Sequence, residues 1–159
     1  LLALKVLNMD QVSKILDFGS GGGFPGVLMA VYFPNVKFTL VESVAKKCGF
    51  LETVIATLGL DNVRILNKRV EKLSTSHRNR YNIISARAVT NLVQLWKWSL
   101  PLLNPGGYLL TWKKYNTTEI QDLKQLIQNN STIEVISPEN SFGLERIKET
   151  RLIKVFKDR

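Results

Sequence analysis

The sequence predicts an α/β fold, a mainly parallel sheet covered by helices on both faces. Three observations predict it. Short apolar, β-branched runs alternate with helically spaced segments along the chain, the pattern of strand–helix units that build a parallel sheet. A nearly bare loop, Gly19-Ser20-Gly21-Gly22-Gly23-Phe24-Pro25-Gly26, directly follows the first apolar run. The length of 159 residues, with 45% hydrophobic and 22% charged residues, suits a single domain spanning 1–159.

The first strand is expected at 14–18, where Ile15, Leu16 and Phe18 are apolar and Asp17 falls at the carboxyl end. A helix over 24–33 follows, carrying Val27, Leu28, Ala30 and Val31. The second strand, 36–41, ends just before Glu42, and the next helix, 44–58, carries a stripe of Phe50, Leu51, Val54, Ile55 and Leu58. Strands at 63–66 and 81–85 lead to a helix over 89–103, a strand at 107–112 and a helix over 118–129 with Ile120, Leu123, Leu126 and Ile127 on one side. A weaker run at 132–136 and another at 151–156 close the sheet. Pro34-Asn35, Gly59 to Asn62 and Asn104-Pro105-Gly106-Gly107 punctuate it as turns, and 74–80 and 137–143 read as loops. The opening Leu1-Leu2-Ala3-Leu4 resembles the end of an apolar helix, so the natural protein is expected to begin further upstream.

There is no run of 18 apolar residues and no leader pattern, so no membrane partner is expected. The single cysteine, Cys48, forbids an internal disulfide and fits a reducing cytoplasm. Twenty-two Lys and Arg face 13 Asp and Glu, a net charge of +9, which favours a polyanionic partner such as nucleic acid.

A strand, a loop almost without side chains and a helix start make a cradle for a nucleotide-like cofactor. Gly21, Gly23 and Gly26 satisfy the G-x-G-x-x-G spacing of a dinucleotide site, so the loop by itself leaves NAD open. Against NAD stand the carboxylate of Asp17 where a pyrophosphate would approach, the bulk of Phe24 and Pro25 at the helix mouth, and the lack of a hydride-transfer constellation. S-adenosylmethionine carries a cationic sulfonium and no phosphate. An acidic strand end suits it, and Glu42, at the end of the second strand, suits its ribose hydroxyls. Asn67-Lys68-Arg69-Val70-Glu71, after the third strand, offers an amide and a carboxylate for the adenine edge.

The loop Asp17 to Gly26 resembles the first motif of the RsmG (GidB) family, the small-subunit ribosomal RNA guanine-N7 methyltransferases. Leu40-Val41-Glu42-Ser43 with Lys46-Lys47 and Phe50-Leu51, then Arg69-Val70-Glu71, then Ile84-Ser85-Ala86-Arg87-Ala88 are similar to that family in the same order. The resemblance covers about residues 12–115. It implies a Rossmann-like class I methyltransferase with a seven-stranded sheet, acting in the cytoplasm as a monomer without a metal. It implies cofactor contacts at Gly19, Phe24, Val70, Glu71 and Arg87, beside the Gly21, Gly23 and Glu42 of the cradle. Lys113 resembles the family's lysine after the fifth strand. The family's amino-terminal helical segment has only Leu1 to Leu7 as its counterpart here.

Guanine N7 is already a lone-pair nucleophile, so methylating it requires positioning and no general base. Arg87, at the end of the fourth strand, faces the place where the target must sit and is the expected positioning group. Arg78, Arg80 and Lys113, with Lys114, Arg146, Lys148 and Arg151, are candidate contacts to small-subunit ribosomal RNA or a ribosomal particle. His77 is expected in solvent. Cys48, Trp96 and Trp98 are expected in the core.

Overall fold

A computed structural model describes residues 7, 9–73, 77–114, 116–127, 131–137 and 150–158. The strands are β1 (Lys14–Phe18), β2 (Lys37–Glu42), β3 (Val63–Asn67), β4 (Tyr81–Arg87), β5 (Leu103–Lys114), β6 (Ser131–Ile136) and β7 (Thr150–Lys157). The helices are α1 (Gly26–Tyr32), α2 (Ala45–Leu58), α3 (Leu92–Ser99) and α4 (Thr117–Ile127). The seven strands form one sheet in the order β3-β2-β1-β4-β5-β7-β6. β1 to β5 run parallel, whereas β7 lies antiparallel to both β5 and β6.

The central strands are largely buried on both faces, which is why each reads as a mostly apolar run, with Asp17, Thr39 and Ser85 as buried polar exceptions. Ile15, Phe38 and Ile83 face Met29 and Ala30 of α1, and Leu40 meets Val27 of α1 and Leu51 of α2. On the other face Leu16, Phe18, Val41 and Ile84 join Leu92, Leu95 and Trp96 of α3 and Leu123 of α4. Trp96 is core, as its helical spacing predicts, and Trp98 packs partly buried against the same cluster. The stripe expected on α2 is narrower than its periodicity suggests. Leu51 and Cys48 are buried, but Phe50 and Leu58 point outward.

Two boundaries move for local reasons. The α3 helix begins only at Leu92, because the Asn91 side chain accepts a hydrogen bond from the Gln94 amide at 2.9 Å and caps the helix there. The predicted turn at Asn104–Gly107 is instead drawn into β5 as a bulge: Tyr81 pairs with Leu103 and Ile83 with Tyr108. A side chain at Gly107 would meet the carbonyl oxygens of Asn82 at 2.8 Å and Asn104 at 3.0 Å, so only glycine allows that approach. At the far edge Lys154 of β7 is buried and forms an ion pair with Glu134 of β6 at 3.4 Å.

Candidate active site

The register of the sheet assembles the site. Phe18 pairs with Val41 on one side and Ala86 on the other, so Glu42, Gly19 and Arg87 leave three adjacent strands side by side. Ligands bind at such carboxyl ends, where the strand order reverses about β1.

The loop between β1 and α1 is folded by short bonds. Ser20 N donates to the Val41 carbonyl at 3.1 Å, Gly23 N to Ser20 O at 2.7 Å and Val27 N to Gly23 O at 2.7 Å. Gly19, Gly21 and Gly23 all have positive φ, at 61°, 54° and 93°, a backbone that L side chains adopt only with strain. Above Gly22 nothing lies within 4 Å of where a Cβ would be. The cradle is therefore open outward.

Glu42 is 5% exposed. Its Oε2 accepts from the Gly21 amide at 3.0 Å and its Oε1 from the Val44 amide at 2.8 Å. A carboxylate has about four acceptor positions, so two remain for a ligand. The strand end is pinned from below: Asn67 Nδ2 donates to the Glu42 carbonyl at 2.9 Å, and the buried Cys48 thiol donates to the same carbonyl at 3.4 Å. Burial pushes that thiol above its ordinary pKa, which suits packing and not nucleophilic work.

Asp17 lies beneath the cradle with no exposure. Its Oδ1 accepts from the Ser85 hydroxyl at 2.6 Å, a contact created by the Asp17–Ser85 register, while its Oδ2 has no hydrogen-bond partner. Burial raises its carboxyl from 3.8 to about 6, and the Ser85 hydrogen bond, then Ser20 and the Gly26 backbone, pull it down less strongly. The folded protein therefore holds a proton that the unfolded chain has released between about pH 4 and pH 6. Stability contributed by this group is fully present below the lower value and is lost as pH rises through the upper one. The separation corresponds to about 3 kcal/mol. Denaturant unfolding from pH 4 to pH 7 should show the stability gap between the wild type and Asp17→Asn changing by about that amount, in favour of the variant as pH rises. A gap that stays constant with pH would exclude it.

Arg87 is exposed, and its guanidinium lies over the Phe24 ring, 4.8 Å from the centroid, a cation–π contact. The next residue, Ala88, has φ 56°, a strained turn for a non-glycine residue at the mouth of the site. Val70 and Glu71 open the 3₁₀ turn Val70–Lys72 after β3, where Val70 packs on the core and Glu71 pairs with Arg69 at 3.8 Å. Lys113 reaches the same rim but is engaged. Only 16% of its side chain is exposed, and its Nζ contacts Glu119 Oε2 at 2.7 Å and donates to Thr90 O at 2.9 Å. It braces the loop after β4, and the β5–β7 pairing places Arg151 opposite it.

The structure separates Arg78 and Arg80 from this group. Both are exposed just before β4, about 20 Å from Arg87 by the rise of the intervening strand residues. His77 is not simply in solvent: its Nδ1 lies 2.9 Å from the Tyr81 hydroxyl. Arg146, Lys148 and residues 1–6 lie outside the described residues. Ser85, the partner of Asp17, is not evident from the sequence alone, although it stands within the Ser-x-Arg-Ala segment. Nor is Asn67 evident as the clamp on Glu42, for which the signal is an amide at the end of the neighbouring strand. Among the described residues no cluster of His, Cys, Asp or Glu could hold a metal, and no helix is long and apolar enough to cross a membrane.

The strand order and the glycine cradle define a Rossmann-like methyltransferase fold. A SAM-dependent O-methyltransferase from Thermotoga maritima shares it with a TM-score of 0.73 and 15% identity, over 99% of this chain and 64% of that one. The chain belongs to the GidB family, rRNA small subunit methyltransferase G, whose model matches residues 1–145. Curated relatives named ribosomal RNA small subunit methyltransferase G include one from Fusobacterium nucleatum, 34% identical over 96% of this chain, and one from Syntrophomonas wolfei, 44% identical over 65%. The chain spans 65% and 49% of the length of these two relatives.

Proposed function

We propose that the protein transfers a methyl group from S-adenosylmethionine to N7 of a guanine in small-subunit ribosomal RNA, in the cytoplasm. The observation that carries this reading is the convergence of Gly19, Glu42 and Arg87 on adjacent strand ends around an open glycine cradle, in a chain of the rRNA small subunit methyltransferase G family.

The residues present fit the cofactor. Glu42 has acceptor positions left for the ribose hydroxyls, and the buried Asp17 with its unpartnered Oδ2 makes the cradle floor acidic beneath a cationic ligand. Gly19, Gly21 and Gly23 let the backbone lie against the amino-acid end, with Val70 and Glu71 bordering the adenine. When bound, S-adenosylmethionine supplies an electrophilic methyl group. Arg87 holds the target, through the guanine O6 or a phosphate, so that the N7 lone pair points at that carbon. Phe24 supplies an aromatic face beside it. No side chain has to remove a proton, because N7 carries none and offers a free lone pair; with the cofactor bound, the methyl carbon would pass to N7 as its bond to sulfur breaks and the electron pair stays on the sulfur. Guanine N7 lies on the Hoogsteen edge, which favours an unpaired or splayed-out base.

The test is incubation with S-adenosylmethionine and small-subunit RNA or ribosomal particles, followed by digestion to nucleosides. 7-Methylguanosine is expected. Arg87→Ala should lower turnover about 100-fold through misplacement of the target, and a wild-type rate would remove Arg87 from this role. Cofactor binding by calorimetry without any 7-methylguanosine would point to another substrate. Failure to bind the cofactor at all would leave an RNA-binding module.

A further inference from the structure

At the opposite edge of the sheet, the amino ends of β1 to β4 border a second cleft of about 430 Å³. Lys14, Lys37, Arg64 and Arg80 line it, against one carboxylate, Asp61. The register sets Lys14 beside Lys37 and Thr39 beside Arg64, and the period of two places Lys14, Lys37 and Arg64 on the face that carries Leu16 and Val41, while Arg80 lines the cleft from the residue before β4. A strand–helix repeat would cover this face with a helix between β3 and β4, but among the described residues the connection holds the three-residue turn Val70–Lys72 and no α-helix. The uncovered ground is cationic instead of apolar.

One member of the cluster is built in. Arg64 Nε donates to Thr39 Oγ1 at 2.9 Å and Nη2 to the Tyr81 hydroxyl at 3.4 Å. Thr39 and Tyr81 are 4% and 2% exposed. Two of the five guanidinium N–H donors are thus used, and the rest remain for a ligand. The local field is positive: burial first, then the charges of Arg64, Arg80 and Lys68, hold the His77 imidazole below its ordinary pKa.

We propose that this cleft is a second RNA anchor, which grips a run of phosphates about 20 Å from the methyl-transfer mouth. The inference rests on the reading of RNA as substrate. The cations span β3, β2, β1 and β4, three strand spacings or about 14 Å. That is too wide for one phosphate ion and suits successive phosphates of a backbone. A remote grip of this kind fixes where the strand lies while Arg87 handles the base.

The test compares two double variants of equal charge. Lys37→Ala/Arg80→Ala empties the cleft of two cations without touching the Arg64 bonds, and Lys97→Ala/Lys124→Ala removes two exposed cations from α3 and α4. The probe is a small-subunit ribosomal RNA transcript in filter binding across a salt series, with melting temperature and S-adenosylmethionine affinity measured alongside. The cleft pair should weaken RNA binding about tenfold and flatten the slope of log affinity against log salt by about 1.4, or about 0.7 per lost contact. The α3/α4 pair should change both much less, and cofactor affinity should be unaltered in both variants. Equal weakening by the two pairs would overturn the proposal in favour of diffuse net charge. Unchanged binding in the cleft pair would also overturn it, including the case in which the cleft receives an acidic protein segment. Salt-dependent RNA binding by the wild type without 7-methylguanosine would defeat the proposed reaction and leave the anchor measurable.

Discussion

Replacing Glu42 by alanine should both lower the melting temperature and abolish tight binding of S-adenosylmethionine. Two backbone amides, Gly21 and Val44, point at this one carboxylate. Removing it leaves both donors at a partly buried strand end, at a cost of about 1–3 kcal/mol for each donor that water cannot reach. Taking about 2 kcal/mol for the pair, a domain of this size should melt about 4–8 °C lower. Losing charge-assisted bonds to two ribose hydroxyls costs about 1.5–3 kcal/mol each, so affinity should fall at least 100-fold. Glu42→Gln keeps one oxygen acceptor and should fall between the wild type and Glu42→Ala in both measurements. Thermal melting and calorimetry check this. An alanine variant that melts within a degree of the wild type and binds the cofactor normally would remove Glu42 from the site.

The second large effect is steric and comes with internal controls. At Gly26 an added Cβ would lie 2.5 Å from Leu40 Cδ2 and 2.7 Å from Asp17 Oδ2. Neither neighbour can retreat easily, since both belong to buried central strands. Gly26→Ala should therefore destabilise the fold by about 1–3 kcal/mol, as overpacked cores do, and push the cradle away from the strand ends. Gly22→Ala meets nothing within 4 Å and should leave stability almost unchanged. Gly49→Ala, in open space in the interior of α2, should stabilise by about 0.5–1 kcal/mol through helix propensity. Denaturant unfolding of the three single variants gives the order. Finding Gly26→Ala as stable as Gly22→Ala would show that the helix mouth yields freely.

The strands were legible because a doubly covered parallel sheet is apolar through most of its middle. Ile15-Leu16, Leu40-Val41 and Ile83-Ile84 announce themselves without any tertiary knowledge. The course of β5 through Pro105 was not legible, since Asn-Pro-Gly-Gly has the local chemistry of a turn. Its bulge depends on the carbonyls of a strand more than 20 positions earlier. Exposure on α2 was equally hidden: periodicity gives the direction of a buried stripe, but the sheet decides its width. In the candidate site, Glu42 and Arg87 were readable as charged residues at strand ends. The engagement of Lys113 by Glu119 was not, because it depends on how the chain turns from β5 into α4. Charge alone groups Arg78 and Arg80 with the other cations. Their position before β4, whereas Arg87 ends it, already placed them at the other end of the sheet.

The Glu134–Lys154 pair reaches further than its strength as an ion pair suggests. The sheet depends on β6 joining β7 in one alignment, yet β6 has only a weak alternation of burial to define it. Sliding β6 by a single residue would set Lys154, 9% exposed, opposite Ile133 or Val135 and take its ammonium away from the Glu134 carboxylate. That penalty falls only on the shifted arrangement. The pair therefore favours the observed alignment of β6 on β7 over one displaced by a single residue.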